Sequence, residues 1–131
     1  MAERDLERLW ANLAPSLEPG EFVFCHLPDA GQAELVELRP LASFMEAEGL
    51  SLILSRESAG SAGLDWSGTY RLISLGAYSS LDAVGLTARV SAVLAEAGIP
   101  ANVVAAYHHD HVFVPTDMAE QALGALRDRS G

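Results

Sequence analysis

The sequence predicts an α+β fold, a β-sheet with helices packed on it. Three observations predict it. Short apolar stretches bounded by glycine and proline alternate with amphipathic stretches of helical period along the chain. From residue 69 onward the order reads strand, helix, strand, strand, helix. The strands are apolar on successive residues, which requires cover on both faces of the sheet.

The elements follow in order. Leu6, Leu9, Trp10 and Leu13 recur at helical spacing, predicting a helix over residues 3–14 that Pro15 and Pro19-Gly20 end. Residues 21–27, with Phe22, Val23 and Phe24, read as a strand. Residues 34–38 read as a short strand and 41–47 as one or two turns of helix. Gly49 then opens a strand over 50–55, and the small residues 58–63 give a loop or weak turn. Residues 69–77 read as a strand and 82–97 as a helix. Its inner face carries Ala83, Leu86, Val90, Val93, Leu94 and Ala97. Ser79-Ser80-Leu81-Asp82 has the spacing of a capping box, and Gly98 with Pro100 is a stop. Residues 102–108 form the next strand, His109-Asp110 a tight connection, and 111–115 its partner. A helix over 117–127 closes the chain. With one more strand, the β-α-β-β-α order makes a ferredoxin-like sandwich. On topological grounds alone, with no strong residue-level repeat, residues 21–77 are expected to be an abbreviated copy of the same unit.

Composition narrows the chemistry. The chain has 131 residues, enough for one compact domain or two small halves sharing a core. The formal charge is −10, and all eight basic residues are arginine. The absence of lysine excludes Schiff-base and P-loop lysine chemistry within the chain. The acidity argues against nucleic acid, which needs clustered cations. The single cysteine, Cys25, permits no disulfide framework, which suits a reducing compartment. Residues 1–5 alternate in charge and lack the pattern of a signal peptide. Apolar runs reach about five residues against the roughly 20 that a membrane span needs. The expectation is a soluble cytoplasmic protein with no membrane partner.

Residues 77–87 carry the most chemistry. A strand turns there into a helix whose first N–H groups favour an anion. Ser79 and Ser80 add hydroxyls, and Gly85 permits close approach. A small carboxylate is the natural guest; an ordinary helix capped by Ser79 or Ser80, with Asp82 meeting the dipole, is the alternative. Tyr107-His108-His109-Asp110-His111 is the second cluster. His109 and His111 share a side in an extended chain, which suits a metal, whereas a hairpin held by Asp110 needs none. Cys25 and His26 are neighbours on a strand, point to opposite faces and cannot act as nucleophile and base. Glu46 and Glu48 read as solvated charges. No nucleophile–base pair or spaced carboxylate pair can be placed, so an enzyme is disfavoured, and no cofactor is expected.

Residues 79–88 (SSLDAVGLTA) and 98–115 (GIPANVVAAYHHDHVFVP) resemble the small bacterial ACT-domain proteins built as a pair of ACT-like units. That group is related to the animal arginine sensors with tandem ACT domains. Residues 22–24 and 46–54 resemble the family's first half, and the likeness spans 5–128. It implies two units, an abbreviated one over 1–68 with its leading helix and a second over 69–131. It also implies a non-catalytic role in binding or sensing an amino acid, and a homodimer.

In such domains the effector sits against the loop from the first strand into the first helix. The resemblance thereby nominates Tyr78, Ser79, Ser80, Leu81 and Asp82, followed by Val84, Gly85 and Leu86. Asn102, Val103 and Val104, with Ala105, form the opposing wall. The α-carboxylate is expected on the N–H groups of residues 80–82 and a serine hydroxyl. The ammonium is expected on carbonyls near 102–104 or the Asn102 side chain, with Leu81, Val84 and Leu86 limiting the pocket. Gly85→Leu is then expected to block binding with little loss of fold. The sequence departs from the common ACT pattern in having Ser-Ser-Leu-Asp where many ACT loops carry a Pro-Gly turn. The rival readings are a ligand-free assembly module acting on an unidentified protein partner, and a histidine-cluster metal protein.

Overall fold

The computed structural model describes residues 2–29 and 32–130. Its elements are α1 (Leu6–Ala11), β1 (Pro15–Leu17), β2 (Phe22–Leu27), α2 (Gln32–Leu38), β3 (Ala42–Glu46), β4 (Gly49–Ser55) and α3 (Arg56–Ser61). They continue with β5 (Tyr70–Leu75), α4 (Leu86–Glu96), β6 (Asn102–Ala105), β7 (Asp110–Pro115), a 3-10 turn (Thr116–Met118) and α5 (Ala119–Arg129). Contacts group Gly20–Tyr70 as one unit, and residues 2–19 with 71–130 as the other. The boundary expected at 68/69 divides the chain by sequence order; by contact, residues 2–19 belong with the second half.

In the first unit, β4 pairs antiparallel with both β2 and β3. Burial alternates along β4, with Leu50, Leu52 and Leu54 inward beside Val23 and Cys25 of β2. Residues 34–38, expected as a strand, lie in α2. Leu35 and Leu38, three apart, pack on this core, so the helical period prevails in a segment rich in helix formers. Residues 41–47, expected as helix, instead hold β3, which ends in a two-residue turn at Ala47-Glu48 with Glu46 opposite Gly49. Phe44 and Met45 on it are exposed, so burial leaves no pattern to read. The weak turn at 58–63 is α3, capped by the Ser55 hydroxyl accepting from the Ser58 N–H.

In the second unit, β5 is bonded to β1 and β7, and β7 pairs antiparallel with β6. The order β5-α4-β6-β7-α5 is the expected β-α-β-β-α. Ile73, Leu75, Val112 and Val114 face Leu9, Val90, Leu94 and Leu126 of the helices. The helix expected over 3–14 is the shorter α1, started by the Asp5 carboxylate accepting from the Arg8 N–H. Its Leu9 is nearly sealed, and Leu13 just beyond it joins the same core. Trp10 Nε1 donates to the Arg129 carbonyl at 2.8 Å, and the Arg89 guanidinium stands 5.5 Å over the Trp10 ring. These contacts tie residues 2–19 to both long helices. In β7, Val112, Phe113 and Val114 are all buried, as the apolar run implied; β2 and β4 alternate instead.

Candidate functional site

Two boundaries in the second unit differ from expectation, and both shape the site. The helix expected from Asp82 begins at Leu86. Its N-cap is Gly85 at φ +104°, a conformation that glycine adopts without strain, and no side chain caps it. Ser79 and Ser80 therefore do not cap α4. The strand expected over 102–108 stops at Ala105, and the hairpin turns through residues 106–109, where the Ala106 N–H donates to the His109 carbonyl at 3.0 Å. Asp110, expected in the tight connection, is the first residue of β7.

The loop between β5 and α4 is held by the N-terminal segment. The Glu3 N–H donates to the Tyr78 carbonyl at 2.7 Å, and the Ser80 N–H to the Glu3 carbonyl at 2.8 Å. The Ser80 hydroxyl bonds the Asp82 carboxylate, and the Ala83 N–H donates to the Ser80 carbonyl at 3.1 Å. That hydroxyl, with Arg4 at 3.3 Å, holds the Asp82 carboxyl below its ordinary range. The Ser80 and Asp82 amides, nominated for a carboxylate, thus already serve the loop: Asp82 N–H lies 3.4 Å from the Ser80 hydroxyl. The first turn of α4 adds amides that no side chain caps.

A cavity of about 140 Å³ adjoins that turn. Of the nominated residues, Ser79, Ser80, Leu81, Gly85 and Leu86 line it. Ala83, Thr87, Ala105 and Asp110 complete the wall. Tyr78, Asp82 and Val84 belong to the same loop but do not line it; neither do Asn102, Val103 and Val104. The register explains the last three. Val103 stands opposite core residue Val112, so Ala105 and its partner Asp110 point to the helix side, toward the cavity. Asn102 and Val104, opposite Phe113 and His111, point the other way. The Asn102 side chain cannot serve this cavity as an ammonium acceptor.

Two polar residues in the wall are nearly sealed from solvent, Ser79 at 6% exposure and Asp110 at 8%. Among the described residues neither side chain is engaged in a hydrogen bond or ion pair, and their oxygens keep some contact with solvent. Burial pushes the Asp110 carboxyl up; His111 and His109 pull it partway back. Sequence reasoning placed Asp110 in a turn and missed it here. The signal was the alternation Asp110, Val112, Val114, which puts all three on one face once β7 starts at 110.

Gly85 lines the cavity with its backbone, but a side chain there would point at Leu6. A Cβ there would come within 2.9 Å of Leu6 Cδ2. Gly85→Leu is therefore no clean block of binding, correcting the expectation of little loss of fold. Even Gly85→Ala is expected to cost about 1–2 kcal/mol from the left-handed backbone alone, read by chemical denaturation.

The histidines fall into separate roles. His108 Nδ1 lies 2.7 Å from the Tyr78 hydroxyl, and the rings of Tyr78, Tyr107 and His108 meet edge to face. His111 sits on the opposite sheet face, with Nδ1 3.4 Å from Ser74 Oγ. His26 Nε2 lies 2.9 Å from the Glu48 carbonyl. Among the described residues, no three histidine, cysteine or carboxylate side chains converge as a metal shell. Cys25 is buried, and burial with the Asp65 charge pushes its thiol up, away from the reactive thiolate.

Burial first, and then His109, push the His111 imidazole below its ordinary value, against the pull of Asp110 and Glu18. A base with a lowered folded pKa contributes stability above its unfolded value near 6.5, lost as pH falls through the folded value. Asp110 runs oppositely: its contribution is present below about 3.9 and lost as pH rises through its raised value. His111→Gln is accordingly expected to lose less stability than wild type between neutral and mildly acid pH, in paired urea titrations. Equal losses would remove His111 from the account.

The first unit has a larger hollow of about 540 Å³ along Glu21, Arg56, Glu57 and Trp66. It is an open groove in which Arg56 and Glu21 pair at 2.9 Å, and it presents no nearly sealed polar side chain lacking a partner. We therefore place the candidate site at the smaller cavity.

Comparison with known proteins agrees with the fold. Two family profiles, both described as ACT domain, match residues 1–71 and 68–128. No curated protein matches in sequence. A Vibrio cholerae protein of unknown function is 44% identical, with a TM-score of 0.87 over 96% of each chain. The regulatory subunit of aspartate kinase from Thermus thermophilus, ligand-free, is 13% identical, with a TM-score of 0.59 over 90% of this chain and 98% of that one. The Agrobacterium tumefaciens protein Atu0741 is 16% identical, with a TM-score of 0.65 over 88% of this chain and 87% of that one. At such low identity the last two show the fold alone. Among the described residues no helix is long and apolar enough to cross a membrane. The first unit, expected as an abbreviated copy, carries the same full order, β2-α2-β3-β4-α3, as β5-α4-β6-β7-α5, and two successive profile matches on these units make this chain a member of the ACT-domain family.

Proposed function

We propose that the chain is a non-catalytic regulatory protein that binds a small carboxylate metabolite, an amino acid or a close analogue, in the cavity at the start of α4. The observation that carries this reading is the uncapped first turn of an eleven-residue helix opening onto a cavity that Ser79 also lines. Free helix amides and the macrodipole favour a negative group there. The Ser79 hydroxyl adds a donor beside those amides. The aspartate kinase regulatory subunit with the same fold supports a regulatory output, which here would pass through a partner protein or a second copy of this chain. In the second unit, β6 leaves one backbone edge unpaired, which suits a homodimer; light scattering reads it.

Thermal unfolding against the twenty amino acids and matched simple carboxylates tests the reading. A saturating ligand at one hundred times Kd is expected to add about 2.7 kcal/mol. No stabilisation by any of them at millimolar concentration would refute it.

A further inference from the structure

The exposed apolar surface of the first unit gathers on one strand edge. Leu41, Phe44 and Met45 are 53%, 73% and 66% exposed. Among the described residues β3 pairs with β4 alone and stands at the end of the strand order, so no strand lies along its outer side. Edges of this kind are ordinarily blunted by charge, proline or a bulge. Residues 41–45 (LASFM) carry neither charge nor proline, and the register with β4 runs unbroken from Ala42 to Glu46. Such an edge is a template for another strand. The open edge of the second unit, β6, has four residues and no large exposed apolar side chain.

The charges say which strand fits. The chain carries −10, so two copies repel unless the contact brings its own complement. Arg39, the one base between Arg8 and Arg56, stands before β3; Glu46 ends it and Glu48 follows. Arg39 and Glu48 are exposed, and neither has an ion pair among the described residues. Arg39 also takes the left-handed backbone at φ +48°, where glycine would be unstrained, so an arginine is held at this corner against a conformational cost.

A second β3 laid antiparallel about a two-fold axis at Ser43 satisfies both features. Leu41 then lies across from Met45 of the second copy, Ala42 across from Phe44, and Arg39 across from Ala47, between Glu46 and Glu48. A parallel strand would set Arg39 beside Arg39 and glutamate beside glutamate. The antiparallel pair is self-complementary and closes at two copies.

We infer that β3 is a self-association edge, pairing antiparallel with β3 of a second copy, with Arg39 of each against Glu46 and Glu48 of the other. This rests on the homodimer reading above and names which of the two open edges forms the contact. Five residues at about 3.4 Å each give an edge of roughly 17 Å. The contact is small, and micromolar association is expected.

Sedimentation equilibrium of the full chain from micromolar to millimolar concentration tests this. Wild type is expected to reach a dimer and stop there. Phe44→Lys, and separately Arg39→Glu, are expected to weaken the dimer about tenfold or more. Arg39→Glu combined with Glu48→Arg exchanges the two signs within one chain and is expected to restore it, which a merely structural effect at Arg39 would not allow. Ser43→Cys lies on the axis and is expected to give a disulfide-linked dimer under mild oxidation, while Asn102→Cys on β6 is not. The native Cys25 is buried and does not compete.

If the dimer survives Phe44→Lys and Arg39→Glu, or cross-links through Asn102→Cys instead, the inference fails and the homodimer reading stands. If wild type stays monomeric at millimolar concentration, both fail. If the double reversal does not restore a dimer lost in Arg39→Glu, the charge pairing and the antiparallel register it fixes are wrong.

Discussion

Truncating Leu9 to alanine is expected to destabilise the protein by about 2–5 kcal/mol, read by urea denaturation. Leu9 is 1% exposed and packs in one cluster with Leu13, Ile73, Leu75, Val90 and Leu94. The substitution removes buried methyl groups and leaves a cavity in the wall shared by α1, α4 and β5. Collapse into that cavity is opposed by the Trp10–Arg129 bond and the Arg89–Glu7 ion pair at 3.0 Å, which fix α1 at both ends. The control is Val36→Ala on the exposed face of α2, 75% exposed, where the change should stay within about 0.5 kcal/mol. A cost under about 1 kcal/mol for Leu9→Ala would mean that residues 2–19 are an appendage and not part of the second unit's core.

The second large effect concerns binding. Ala105 is exposed, lines the cavity and points into it from β6. Ala105→Leu adds three carbons to the wall of a small cavity of about 140 Å³, which crowds a guest out. The unliganded variant is expected to stay within about 1 kcal/mol of wild type, since the site is at a strand end and not in the sealed core. The ligand-induced gain of about 2.7 kcal/mol at one hundred times Kd is expected to vanish. An undiminished gain would place the binding site elsewhere.

How much of this was legible in the residues depends on the element. The second unit was readable because its strands and helices bury one continuous face. Val90, Val93 and Leu94 mark α4, and Ala119, Ala122, Leu123 and Leu126 mark α5, at helical spacing. The stretch from 32 to 46 was not. Its α2 is seven residues long and buries little, and β3 is an edge strand with exposed Phe44 and Met45, so neither period is imposed by burial. The start of α4 was misplaced because Ser-Ser-Leu-Asp carries real capping chemistry, spent here on a turn of its own. Ser80 bonds Asp82 rather than a helix end. Gly85, three residues after Asp82, was the true boundary signal.

The site was half legible for the same reason. The loop was identified, and Ser79, Ser80, Leu81, Gly85 and Leu86 do meet at the cavity. Of the three amides named, that of Ser80 is taken by the Glu3 carbonyl, a contact of high sequence separation that no local pattern encodes, and that of Asp82 lies against the Ser80 hydroxyl. Asp110 was hidden by an error in where the β6–β7 hairpin turns, with β6 expected to end three residues later and β7 to begin one residue later than they do. Side-chain direction alternates along a strand, so such an error decides what faces the helix.

The most direct measurement is a titration of the ¹⁵N-labelled chain with glycine, followed amide by amide. Binding as described moves the N–H resonances of Leu86, Thr87 and Ala88 with that of Asp110, saturably and together. If those four stay still while others shift, for instance around Trp66, the ligand lies elsewhere and the assignment of this cavity is wrong.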